Sequence, residues 1–472
     1  MNFNSFTFFV FLIPVLAAYY LLPWRFGRYA LLLGSYAFYG SAQPWYCILL
    51  LISTVVDYLV CLRMAAIEVR SRRRNYLLLS IVVNIGLLAT FKYGAFIAEN
   101  LSFLVPGARS ASMPFSNIIL PVGISFYTFQ TLSYTIDVYR GRLKPCRSFI
   151  NFALYVSFFP QLVAGPIERA DKLIPQLSRK NAWDSNNFML GLERVLWGLI
   201  KKTVFADRLA VFVNEVYAAP SEASSLVLLL AATAFLLQLY LDFSAYCDIA
   251  LGTARMLGVR LSENFNYPLA ARNSSDFWNR WHITLTSWFR DYVFRPLGGT
   301  RRSAPVRSMF NTLLVFTLIG LWHGAAWNFV LFGFIAGISL LIYQNMRVYM
   351  PRRGRGSLLG KGVPGRYIAV ALNLPVIIGI GVFFRSPDLH TAWLVFTGFF
   401  QNGLVLPRPY LPYAVLALLL LGVHFSRGWW RKKNGNGKEG ATLWTALRMG
   451  IYYFILVFAA YEYRETFIYF QF

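Results

Sequence analysis

The chain carries four histidines, His282, His323, His390 and His424, and imidazole is the side chain that most readily exchanges a proton near neutral pH. His323 is the sharpest candidate for such chemistry. It lies deep in an apolar stretch, LIGLWHGAAWNF (residues 318–329). An ionisable ring there costs free energy unless it is used or hydrogen-bonded. Gly320 and Gly324 lie four residues apart, so a backbone or a substrate can approach closely. Trp322 and Trp327 are suited to wall an acyl or sugar pocket, and Asn328 offers an amide donor. The competing reading is a small-residue packing seam with a structural histidine bonded to a neighbouring helix.

His282 sits in DFWNRWHITLTSWFRDYVFRPLGG (residues 276–299). Read as one helix, Trp278, Trp281, His282, Leu285, Phe289 and Tyr292 share an aromatic face, opposite Arg280, Thr284, Ser287 and Asp291. Asp276/Arg280 and Asp291/Arg295 fall at ion-pair spacing. The pattern predicts an amphipathic helix at the membrane surface, or one folded into the protein, with His282 as its polar tip. His390 reads as a loop residue after Phe383–Pro387 and His424 as the end of a Leu-rich span, both interfacial. Two polar clusters lie in apolar context, QLYLDFSAYCDIALG (238–252) and GISFYTFQTLSYTIDVYRG (123–141). The second reads as the polar seam of a helix bundle, and Asp242 and Asp248 of the first are expected to hold arginines from 276–299. The chain contains no Walker A, H-E-x-x-H, G-x-S-x-G or dinucleotide fingerprint, which counts against ATPase, hydrolase and dehydrogenase chemistry.

The elements that position these residues are apolar helices. Of 472 residues, 57% are hydrophobic, 18% aromatic and only 14% charged, against about 25% charged in a soluble protein. Lys and Arg outnumber Asp and Glu by 45 to 20, for a net charge of +25. In a membrane protein such an excess marks cytoplasmic loops facing anionic lipid, which replaces nucleic acid as the expected partner. The cysteines Cys47, Cys61, Cys146 and Cys247 form no C-x-x-C pair and have no histidine at ligand spacing, so neither a disulfide framework nor a metal site is expected.

A spanning helix needs about 20 apolar residues. Candidate segments are 8–22, 29–62 broken at 40–44, 76–97, 118–136, 191–217 with Lys201 and Lys202 inside it, 226–251, 310–343 as two helices, 367–384, 392–400, 414–425 and 442–461. Residues 149–165 are short and contain Pro160, which predicts a re-entrant segment. Residues 252–307, rich in Arg and aromatics, read as cytoplasmic-side or interfacial, and 347–366 and 427–438 as basic loops. The total is about 10–12 crossings, with the first segment a retained span and not a signal peptide. Basic clusters follow the first, third and fifth spans, which puts the N-terminus outside. A helix entering at Arg307 brings His323 roughly 24 Å across the bilayer at about 1.5 Å per residue.

The motifs FYTFQTLSYTIDVYRG, FPQLVAGPIERA, LDFSAYCDIALG, FNYPLAARNSSDFWNRWHITLTSWFRDYVFRPLGG, GLWHGAAWNFVLFG and FIYFQF together resemble the membrane-bound O-acyltransferase family. The likeness is to its bacterial alginate O-acetyltransferase branch and covers nearly the whole chain in order. The resemblance implies an all-α, polytopic transmembrane helical bundle over 1–472, a ring of helices thinned at its centre with funnels on both faces. It implies a catalytic His323 and a second family histidine, His282. Substrate contacts are expected from Trp322, Trp327 and Asn328 beside the first, and from Arg280, Trp281 and Arg290 beside the second. It further implies a cytoplasmic thioester donor, acetyl-CoA, whose phosphates the basic residues of 255–307 would attract. The acceptor would be an extracytoplasmic polysaccharide, alginate or similar, reached directly or through periplasmic acetyltransferase partners. The setting would be the bacterial inner membrane. D-alanyl or peptidoglycan acyl transfer on the same fold, or a non-catalytic acyl conduit, are the alternatives. Ala326 stands where the family pattern suggests Ser.

Overall fold

The computed structural model describes residues 1–102, 120–300, 304–349, 363–434, 443–459 and 467–468. Twenty α-helices follow one another, and no strand occurs among the described residues. They are α1 (Phe6–Leu21), α2 (Trp24–Gly40), α3 (Tyr46–Ala65), α4 (Arg70–Leu88), α5 (Gly94–Ser102), α6 (Ile124–Tyr139), α7 (Phe149–Ser157), α8 (Phe159–Leu162), α9 (Ala170–Leu177) and α10 (Ser185–Ile200). Then come α11 (Asp207–Ala218), α12 (Ser225–Met256), α13 (Ser274–Trp278), α14 (Ile283–Phe289), α15 (Pro305–His323), α16 (Trp327–Tyr349), α17 (Val363–Arg385), α18 (Leu389–Gln401), α19 (Leu411–Asn434) and α20 (Leu443–Ala459).

Seven helical stretches among the described residues are long and apolar enough to cross a bilayer, those of α3, α4 with its continuation, α12, α15, α16, α17 and α19. The chain is a multi-pass membrane protein. Helix is the form such segments must take, because hydrocarbon offers no partner for a backbone N–H or C=O. Starts and stops follow local chemistry. Ser5, Ser148, Asn273 and Asp388 cap α1, α7, α13 and α18 by accepting a backbone N–H from three residues on. The Gly40–Pro44 break separates α2 from α3, as expected.

The chain divides into two compact units. The first comprises 1–199, 246–262 and 440–452. In it, α3, α4 and α6 pack around a buried polar cluster. Asp57 accepts from Ser80 and from Asn84 Nδ2 at 2.9 Å, and Asn84 Oδ1 accepts from Ser53 at 2.7 Å and from Thr131 at 3.3 Å. Thr131 belongs to the 123–141 motif, so part of the polar seam expected there is this network. The 149–165 segment is broken at Phe158 into α7 and the one-turn α8, and its residues from Phe152 on are buried.

The second unit comprises 200–245, 263–439 and 453–472. Its core joins α11, residues 225–245 of α12, α13 and α15 to α19 through apolar side chains. The α15–α16 hairpin is its tightest seam. A Cβ added to Gly320 would stand 2.2 Å from the Phe329 carbonyl oxygen, and one added to Gly333 would stand 2.2 Å from that of Phe316. Only hydrogen fits at either place.

Several expectations are revised. Residues 276–299 are not one helix. α13 ends at Trp278, His282 turns the chain at φ 42°, and α14 leads into a π-helical turn, Arg290–Phe294. The cause is pairing with a distant strand of chain. Asn266 N–H donates to Arg280 O at 3.0 Å and Ile283 N–H to Asn264 O at 3.0 Å, which substitutes long-range bonds for helical ones. Among the described contacts, the acids of 238–252 pair with cations outside 276–299. Asp248 pairs with Arg194 at 2.9 Å, and Asp242 pairs with Lys202 at 2.7 Å. Lys202 also meets Asp207 at 2.9 Å, and Lys201 donates to Ser244 Oγ at 2.8 Å, so both buried lysines have the partners their setting requires. Residues 427–434, read as loop, continue α19; 435–438, and 350–362 of the other basic loop, lie outside the described residues.

Candidate active site

His323 is the last residue of α15, and its neighbour Gly324 leaves helical geometry at ψ 148°. The ring is buried, 4% exposed, and packs edge-on against Trp322, Phe332 and Phe384 at centroid separations of 4.9, 5.8 and 5.2 Å. It lines a cavity of about 30 Å³. A water needs at least ~10–15 Å³ measured this way, so the space takes roughly two waters or one small group.

Besides His323 of α15, the walls come from four helices and one turn. Leu236 and Leu239 of α12, Phe277 and Trp278 of α13, Trp281, Phe332 of α16, and Ile377, Ile380, Gly381 and Phe384 of α17 surround it. Residues 377, 381 and 384 repeat at helical spacing and so present one face of α17. The described lining holds no carboxylate. Trp278 is buried at 6% exposure, and its indole Nε1–H has no hydrogen-bond partner among the described residues.

His282 lies beside this chamber. Its Nδ1 is 3.2 Å from Asn264 Oδ1, an oxygen that also accepts from Thr284 N–H at 3.1 Å and Thr284 Oγ–H at 2.9 Å. An amide oxygen only accepts, so His282 Nδ1 carries the proton and Nε2 holds the lone pair. Burial pushes the imidazole down to about 3, and the ring stays neutral at physiological pH. Trp322 bridges the two histidines, its indole 5.8 Å from the His282 ring and 4.9 Å from the His323 ring. His282 therefore bears on His323 through an indole.

The other expected substrate contacts divide. Trp281 lines the chamber and Trp322 touches both imidazoles. Trp327 is 57% exposed and does not line the cavity. Asn328 Nδ2 donates to the carbonyls of Ser386 at 2.8 Å and Phe383 at 3.4 Å, which ties the start of α16 to the end of α17. Arg280 is held by Asp276 at 2.7 Å, and Arg290 pairs with Asp291 at 3.2 Å on a half-exposed side chain. The expected Asp291–Arg295 pair forms at 3.0 Å.

Sequence reasoning missed Asn264, whose role depends on contacts 18 and 20 residues away, and Trp278 as a chamber wall. The aromatic face drawn for 276–299 contained Trp278, so a signal existed. His390, expected in a loop, is exposed in the first turn of α18. His424 ends an apolar run, but it is not a surface residue. It is buried, edge-on to Tyr240 at 4.9 Å and to Tyr267 at 5.4 Å.

Comparisons with known proteins point the same way. The family model described as MBOAT, membrane-bound O-acyltransferase family, matches residues 146–354, a range that contains His282 and His323. The chain is 36% identical over 406 residues to a protein of Azotobacter vinelandii named "Probable alginate O-acetylase AlgI", covering 85% of this chain and 79% of that one. It is 33% identical over 413 residues to a peptidoglycan O-acetyltransferase of Helicobacter pylori, covering 81% and 75%. It is 28% identical over 241 residues to a teichoic acid D-alanyltransferase of Bacillus subtilis, covering 49% and 60%.

Proposed function

Since the chain belongs to the membrane-bound O-acyltransferase family and is a membrane O-acyltransferase, we propose that it moves an acetyl group from cytoplasmic acetyl-CoA to hydroxyls of an extracytoplasmic polysaccharide, working in the bacterial inner membrane. Alginate or a similar exopolysaccharide is the acceptor, met directly or through periplasmic acetyltransferase partners. The observation that carries this reading is the imidazole of His323, buried at a helix end against a small apolar chamber.

His323 takes the proton of the acceptor hydroxyl as its oxygen attacks the thioester carbonyl carbon. The carbon–sulfur bond then breaks, and the imidazolium returns the proton to the departing thiolate. An alternative route, in which His323 is itself acylated before the hydroxyl attacks, uses the same ring. The C-terminal end of α15 carries about half a negative charge, which favours the imidazolium formed in either route. Trp322 and the neutral His282 fix the orientation of His323 from one side, and Phe332 and Phe384 from the other. An apolar lining without a carboxylate suits an acetyl group better than a D-alanyl group, whose ammonium needs an acid or carbonyl partner.

The test is His323→Ala. Polymer acetylation is expected to vanish while the protein inserts and purifies as the parent does. Acetylation that persists would assign the base elsewhere. Transfer of label from acetyl-CoA by the purified parent protein, abolished in His323→Ala, separates an enzyme from a passive conduit.

A further inference from the structure

We infer that the chamber beside His323 is a length filter for a two-carbon acyl group, with Gly381 as its gate and the indole N–H of Trp278 as the donor that meets the acyl carbonyl oxygen. The inference rests on the acyltransferase reading above and adds to it which acyl groups pass and which residues decide.

Three observations carry it. The chamber is small, about 30 Å³, and its described lining is hydrocarbon and aromatic except for His323 and the two indoles. Gly381 is buried, yet a Cβ built there meets no atom within 4 Å. A buried position with no neighbour faces internal space, and the space Gly381 lines is this chamber. The chamber therefore exists in part because residue 381 lacks a side chain. Finally, Trp278 keeps a buried N–H without a partner among the described residues. A buried orphan donor costs about 1–3 kcal/mol and calls for an explanation. An acyl carbonyl oxygen, more negative in the tetrahedral state than in the thioester, supplies the missing acceptor when it is most needed.

The size argument fixes the direction. Each methylene added to a group in a fixed apolar pocket changes its rate by about 10–200-fold. Butyryl exceeds acetyl by two. Gly381→Val fills the gate, whereas Ile377→Ala removes wall one helical turn away on the same face of α17.

The experiment uses the full-length protein in lipid vesicles, with acetyl-CoA or butyryl-CoA as donor probe and alginate oligosaccharide as acceptor probe. The thiol released in a His323-dependent manner is measured. The parent is expected to cleave acetyl-CoA at least tenfold faster than butyryl-CoA. Gly381→Val should lower acetyl turnover at least tenfold. Ile377→Ala should raise the butyryl-to-acetyl ratio at least tenfold, a gain that misfolding cannot imitate. Trp278→Phe should lower kcat at least tenfold with KM within twofold. Equal turnover of the two thioesters by the parent, or an unmoved ratio in Ile377→Ala, overturns the filter and leaves the enzyme reading standing. A kcat within twofold in Trp278→Phe overturns the donor role. Absence of His323-dependent cleavage with either probe overturns the functional reading and the filter together.

Discussion

Gly320→Ala gives the most direct check on how the site is built. The substitution adds one carbon at a point 2.2 Å from the Phe329 carbonyl oxygen, where ordinary van der Waals contact begins at 3.4 Å. The oxygen is backbone and cannot rotate away. Gly333 Cα, at 2.9 Å, blocks the neighbouring direction. The two helices must therefore part by about 1 Å locally. Overpacking of this kind costs about 1–3 kcal/mol, and replacing a helical Gly by Ala returns up to about 1 kcal/mol through propensity. The net loss of stability is modest. The effect on catalysis is larger, because His323 lies three residues from Gly320, and misplacement of a reacting group by about 1 Å can cost about 10²-fold in rate. Gly379→Ala is the control, since its nearest new contact is an ordinary 3.8 Å. His323-dependent thioester cleavage and the thermal midpoint in detergent would be measured on both. A Gly320→Ala protein that turns over within twofold of the parent would show that the α15–α16 seam does not position the imidazole.

Two further outcomes follow from buried polar contacts. Lys202→Met leaves Asp207 and Asp242, each at most 2% exposed, without the cation that sits 2.9 and 2.7 Å from them. The expected loss is about 3–5 kcal/mol, read as a lowered thermal midpoint that adding Asp242→Asn partly restores; a midpoint equal to the parent's would refute the pairing. Asn328→Ala removes the donor to the Phe383 and Ser386 carbonyls on either side of Phe384. Stability should fall by about 1–3 kcal/mol together with turnover, whereas an Asn328 that merely contacts substrate would lose turnover at an unchanged midpoint.

What the sequence made legible was whatever depends on near neighbours. Hydropathy over some twenty residues locates α12, α15, α16 and α17, because a lipid-facing helix must be apolar along its own length. The division of 310–343 into two helices was legible too, though not its place after His323. The aromatic character of 276–299 was equally plain, but its path was not. His282 sits at φ 42° because Asn264 and Asn266 hold the segment from 14 to 20 residues away, and periodicity within a segment carries no information about such bonds. The same holds for Lys202, whose second acid, Asp242, is brought to it from α12. His424 ends an apolar run and so resembles an interfacial residue, yet Tyr240 and Tyr267 enclose it.

The placement of His323 at a helix end, and not within one, has consequences that join fold to chemistry. A mid-helix histidine would have its backbone carbonyls spent on intrahelical bonds and its ring flanked by side chains of its own helix. At the end of α15 the chain opens at Gly324 to ψ 148° before α16 returns. The return is close because Gly320 and Gly333 permit it, and that closeness brings Phe332 against the imidazole. Phe384, fixed from the other side by the bonds Asn328 makes to its neighbours, completes the ring's enclosure. A tight hairpin thus supplies both a helix terminus, suited to the charge that the proposed mechanism forms on the imidazole, and the aromatic walls that keep the chamber small. In the proposed reaction a hydroxyl and a thioester would meet His323 there in one orientation, and it is that restriction, more than the basicity of one ring, that the helices around the chamber would impose.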